Sequence, residues 1–173
     1  MKFKRFLLAI LVIIFALSAV GCQSSAYSAM RNQIKSEGAY NSEYKKYNIK
    51  LSDKVDYYFF EDSDSIWLNY YDYSSKYSTS FYISFNKDMD GEYYWSMRYD
   101  EYSLTGTLTA SKFNKNTSSL YYSSSSKDSV NETVNSTLRS LSATLCKICI
   151  LDLALYWEKT DFNLRLSDLG FDY

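Results

Sequence analysis

The chain has 173 residues, 19 Lys+Arg against 20 Asp+Glu, and neither histidine nor proline. The missing histidine excludes Ser-His-Asp and Cys-His nucleophile systems and every imidazole-ligated metal centre, leaving chemistry to carboxylates, Lys, Tyr, Ser and Cys. Roughly 9 prolines would be ordinary at this length, and the 19 tyrosines sit in a Tyr-, Ser-, Asn-, Lys- and Asp-rich composition of the kind AT-rich codons supply, so their number alone does not argue for a binding surface.

Residues 1–21 read as a secretory signal peptide. Lys2, Lys4 and Arg5 precede an unbroken apolar run over 6–17, which leads into Leu17-Ser18-Ala19-Val20-Gly21-Cys22. Small or apolar residues at the three positions before a cysteine, with glycine directly in front, resemble the lipobox of bacterial lipoproteins, although Ala19 stands where that motif most often has leucine. The resemblance implies acylation of the Cys22 thiol, cleavage before it, and attachment to the outer, extracytoplasmic face of the cell membrane. One acyl chain holds a protein only marginally, whereas a diacylglyceryl group holds it firmly. The motif covers the first 22 residues and implies nothing about the rest. Two other fates stay open: cleavage after Ser18 at Ala16-Leu17-Ser18, which would release a secreted protein, and retention as an anchor, for which the run falls short of about 20 apolar residues.

Removing 1–21 takes three of the 19 basic residues and none of the 20 acidic ones, leaving 16 against 20, a net charge of −4. A mildly acidic chain with no basic stripe is a poor partner for nucleic acid. Residues 22–173 suit one domain with its own core. Ser24 and Ser25 form a short linker, and Tyr27, Met30 and Ile34 recur at helical spacing up to Gly38. From 44 to 111 the period becomes two: Ile66, Leu68 and Tyr70 against Trp67, Asn69 and Tyr71; Phe81, Ile83 and Phe85 against Tyr82, Ser84 and Asn86; Tyr93, Trp95, Met97 and Tyr99 against Tyr94, Ser96, Arg98 and Asp100; Leu104, Leu108 and Ala110 against threonines. With strands near 44–51 and 55–61, and turns at 62–65, 74–76 and 88–91, this predicts an antiparallel meander of five to six strands.

Residues 114–127 read as a connection with a short strand at 120–122. A long helix is predicted over 129–159, opened by a capping box of Ser129 and Glu132 and carrying an apolar stripe of Val130, Val134, Leu138, Leu141, Leu145, Ile148 and Leu155. The tail from 161 to 171 supports either a strand (Phe162, Leu164, Leu166) or a helical turn (Leu166, Leu169, Gly170). The expected fold class is α+β, with a short N-terminal helix and the long C-terminal helix packed on one face of the meander. The shape is loosely like a helix-grip or cystatin-type architecture, an analogy that carries no function.

Four constellations bear on chemistry. Asn86-x-Asp88-x-Asp90-Gly91 resembles the start of a calcium loop, but Met97 stands where its bidentate glutamate belongs, and Asp-Gly between two strands is a hairpin signal in its own right, so the reading is a turn without an ion and no metal. Cys146-x-x-Cys149 has redox spacing but lies mid-helix in an apolar run, where buried small side chains fit better than a strained disulfide or a zinc half-site. Asp100 with Glu101 and Glu61 with Asp62 are adjacent carboxylates at strand ends, ill-placed to converge as a catalytic pair. Tyr70, Tyr82, Tyr94 and Arg98 form the candidate ligand-binding face, because tyrosine offers an apolar ring and a polar tip.

The function expected from these readings is a non-enzymatic binding module held at the membrane by lipid on Cys22, with an envelope protein or a glycan as partner and no cofactor. The alternatives are a carrier or sensor of a small apolar or glycan ligand held between sheet and helix, and a histidine-free envelope hydrolase.

Overall fold

Period-two patterning is a covalent property of extended backbone, since successive side chains leave opposite faces of a strand. In the chain it holds over strand after strand. The computed structural model describes residues 26–74, 76–88, 91–113, 120–125 and 132–171. Helix α1 spans 26–37. It is followed by β1 (Ala39–Asn41), β2 (Lys46–Lys50), β3 (Val55–Phe60), β4 (Ser65–Asp72), β5 (Thr79–Asn86), β6 (Glu92–Tyr99), β7 (Tyr102–Thr109), β8 (Leu120–Ser125) and the long helix α2 (Glu132–Lys159). Short 3₁₀ turns occupy Ala110–Lys112 and Leu166–Leu169.

All strands lie in one antiparallel sheet in sequence order. The sheet is therefore longer than the expected five to six strands: seven strands have five or more residues, and the three-residue β1 is an eighth. The expected short strand at 120–122 extends to Ser125 and pairs with β7 across a register shift at Thr105/Gly106. The helix expected from 129 is described from Glu132, so Ser129 and Val130 lie outside the described residues.

One sheet face makes the core. Val55, Tyr57, Ile66, Leu68, Phe81, Ile83, Trp95, Met97 and Leu108 are buried there with Met30 and Ile34 of α1 and Cys146, Cys149, Ile150, Leu153 and Trp157 of α2. The α2 stripe is a correction to the expected one. Leu138 and Leu145 are buried as expected, but Ile148 and Leu155 point to solvent, and Ser142, Cys146, Cys149, Ile150, Leu153 and Trp157 take the inner face. A helix with aliphatics around most of its circumference leaves its buried side to be chosen by the sheet it meets.

The two ends of the chain close over the core. Trp157 Nε1 donates to Gln33 Oε1 at 3.1 Å, tying α2 to α1. The tail takes the helical alternative: Leu166–Leu169 is capped by Gly170 at φ 83, a left-handed position suited to glycine. Tyr93 Oη then donates to the Leu169 carbonyl at 2.6 Å, and Phe171 stacks on the Tyr93 ring. Gly38 follows α1 where any Cβ would stand 2.4 Å from the Ile34 carbonyl oxygen and 2.8 Å from that of Asn48. Only glycine lets β1 turn back so closely on the helix.

Candidate functional site: the uncovered face of the sheet

The same register that buries one face aligns the other. Asn48, Tyr58, Trp67, Ser84, Tyr94 and Thr107 stand directly opposite one another from β2 to β7. Tyr58 and Tyr94 are three strand spacings apart in that row, about 14 Å. A second row runs Asp56, Asn69, Tyr82, Ser96 and Thr105.

The rings touch one another. Tyr58 stacks on Trp67 at 5.7 Å between centroids and 20°, Phe60 meets Trp67 edge-on at 5.4 Å, and Tyr82 lies 6.1 Å from Tyr94. Lys46 Nζ sits 3.8 Å over the Tyr58 ring. Burial raises the Tyr58 hydroxyl pKa to about 12, with the Asp56 carboxylate and Tyr82 adding to it. Burial likewise raises the Asp56 carboxyl and lowers the Lys46 ammonium, each effect opposed by the other's charge. Tyr82 is raised by burial first and by Tyr94 second. Between the rings lie Ser65, Ser84 and Asn86, the last accepting from Ser65 Oγ at 2.9 Å and from Ser84 Oγ at 3.4 Å. From β2 to β7 no position on this face carries an aliphatic side chain. The surface can stack rings and exchange hydrogen bonds.

Two of the expected face tyrosines are here. Tyr94 is 41 % exposed and Tyr82 is half-buried beside it. Arg98 shares the face, in register with Ser80, and donates to the Asp100 carbonyl at 3.4 Å near the β6–β7 turn. Tyr70 is a correction. It follows Leu68 by two residues, pairs with Val55 and Phe81, and packs against the core. Tyr58, Phe60 and Trp67 were missed by sequence reasoning. Trp67 was legible from its alternation with Ile66 and Leu68, but Tyr57 to Phe60 is an unbroken aromatic run in which the outward pair cannot be told from the inward one.

Apart from Asn86, the residues of the other constellations described by the structure sit away from the aromatic rows of this face or inside the protein. Cys146 and Cys149 are free and fully buried, and burial drives both thiol pKa values up, the opposite of a reactive pair. Asp100 and Glu101 form the two-residue β6–β7 turn, with Asp100 at φ 51. Glu61 accepts from Tyr40 Oη, and Asp62 pairs with Lys45 at 3.6 Å in solvent. Asn86 ends β5 and Asp88 lies in the following turn, while Asp90 is outside the described residues. Among the described residues no three carboxylate or cysteine side chains gather where they could hold a metal ion.

No known protein family, no characterised protein and no solved structure matches this chain. An open groove of about 680 Å³, lined by Ala154, Trp157, Glu158 and residues 161–167, lies at the meeting of α2 and the tail. No helix among the described residues is long and apolar enough to cross a membrane.

Proposed function

We propose that the protein is an extracytoplasmic lipoprotein, held on the outer face of the cell membrane through Cys22, that works as a non-enzymatic binding module. The observation that carries the binding reading is the aromatic and hydroxyl row Tyr58–Trp67–Ser84–Tyr94 on a sheet face that neither helix covers. A face with rings, amides and hydroxyls but no aliphatics suits a partner recognised by stacking and hydrogen bonds, either a segment of an envelope protein or a glycan. The anchor reading rests on the signal segment alone, and the three residues between Cys22 and α1 would hold the domain within about 10 Å of the bilayer.

Both parts have direct tests. Cys22→Ser should move the protein from the membrane fraction to the soluble or secreted fraction; unchanged membrane association would sink the lipid anchor. In-cell cross-linking of the tagged protein should recover one specific envelope partner or polymer, and Tyr82→Ala with Tyr94→Ala should reduce that recovery at least tenfold without changing the melting temperature. Recovery unaffected by the double substitution would move the binding site elsewhere.

A small-ligand carrier is the second reading, and the groove between α2 and the tail favours it. It differs from the expected sheet–helix pocket in lying at the junction of α2 and the tail.

A further inference from the structure

The outer line of α2 has a pattern that the binding face does not use. Leu141, Thr144, Ile148, Leu151 and Leu155 follow one another at steps of 3, 4, 3 and 4, the a/d spacing of a coiled-coil seam. In this register Leu141, Ile148 and Leu155 take a positions and Thr144 and Leu151 d positions, and the central layers, Ile148 at a and Leu151 at d, are the combination that favours two strands. From Thr144 on, the seam faces away from the core: Ile148, Leu151 and Leu155 are 36 %, 44 % and 53 % exposed, while Leu141 at its start is half-buried against the protein's own core. On a helix so well supplied with buried residues, three aliphatics in successive outward positions are unpartnered surface.

The residues that border the seam identify its occupant. Lys147 is at a g position and Asp152 at an e position, on opposite flanks of Ile148 and Leu151. Neither makes an ion pair within the chain among the described residues. In a parallel pair of helices a g residue faces the partner's e residue five positions on, so Lys147 of one copy meets Asp152 of the other, twice by symmetry. An antiparallel pair would oppose Lys147 to Lys147 and Asp152 to Asp152. We infer that α2 docks in parallel on α2 of a second copy of this chain, through Leu141–Leu155 with the Lys147–Asp152 pair setting the orientation. The seam is only two heptads, about 21 Å long, but each helix is already folded on its own sheet, so association does not have to bear the cost of forming it. The inference is independent of the aromatic face.

The test uses the full chain in membranes. Leu155→Cys places two thiols face to face in the parallel pair and should give a disulfide-linked dimer under mild oxidation. Glu43→Cys, in the β1–β2 turn, reports background in the same chain with Cys22 present. Adding Lys147→Glu to the Leu155→Cys chain should cut the dimer at least fivefold, and adding Asp152→Lys as well should restore it to within twofold, with melting temperatures confirming that every variant folds. The inference is overturned if Leu155→Cys gives no more dimer than Glu43→Cys, if it cross-links to a different protein instead, or if the double charge swap is no better than Lys147→Glu alone.

Discussion

Two residues show how far a single side chain can depart from the pattern around it. Tyr57 follows the strand alternation into the core, but its hydroxyl has no hydrogen-bond partner among the described residues, and burial pushes its pKa well up. A buried hydroxyl without a partner costs stability that its ring does not need. Tyr57→Phe should therefore fall between no change and a gain of about 1 kcal/mol in urea unfolding; a loss larger than that would mean the hydroxyl is satisfied in solution. Asp72 is the opposite case, a half-buried carboxylate held by charge and hydrogen bonds. Lys54 Nζ, then Ser74 Oγ and the Ser74 amide bring its pKa down to about 2. A folded-state pKa below the unfolded value contributes stability above the unfolded pKa and loses it as pH falls towards the folded one. The contribution of Asp72 should be whole above about pH 4 and fade towards pH 2, and Asp72→Asn should remove that part of the acid limb. A carboxyl titration by NMR that places Asp72 near 4 would refute it. Nothing in the local sequence signals either residue: Tyr57 reads as one aromatic among four, and Lys54 reaches Asp72 only because β3 and β4 pair.

At the scale of elements, the strands were legible and the helix face was not. A strand has two faces set by parity, so Ile66, Leu68 and Tyr70 had to share a side once any one of them was buried. The same rule moves Tyr70 off the candidate binding face and brings Trp67 onto it. Helix α2 has no such constraint. Its aliphatics at 138, 141, 145, 148, 150, 151, 153 and 155 surround the axis, and the period admits more than one buried stripe. The structure buries Leu153 completely and leaves Leu155 more than half exposed. Leu153→Ala should cost about 2–5 kcal/mol, as for a full core truncation, while Leu155→Ala should cost less than about 1 kcal/mol. Equal losses in denaturant titrations of the two variants would reverse this assignment of faces.

For the whole molecule, the long-range closure matters more than any one element. The sheet is a sequential meander, and each strand meets its neighbours in sequence. The contacts that join the ends include Gln33 with Trp157, Tyr156 with Glu37, Tyr93 with the Leu169 carbonyl, and Phe171 between Tyr93 and Phe113. Phe171 is 1 % exposed at the far end of the described chain. Phe171→Ala should cost about 3–5 kcal/mol, the range for a buried phenylalanine, measured by thermal and urea unfolding; a loss under 1 kcal/mol would show the tail to be dispensable.

By itself the sequence determined the alternating strands, the two helices and the absence of imidazole chemistry, because these follow from covalent geometry, local periodicity and composition. Only the tertiary structure decided the rest. It extended the sheet to β1 and β8, put Tyr58, Trp67 and Tyr94 in one row, and turned Ile148, Leu151 and Leu155 outward. Each of those outcomes depends on which segments meet across long stretches of chain, and local periodicity carries no record of register between strands or of the side from which a helix is approached.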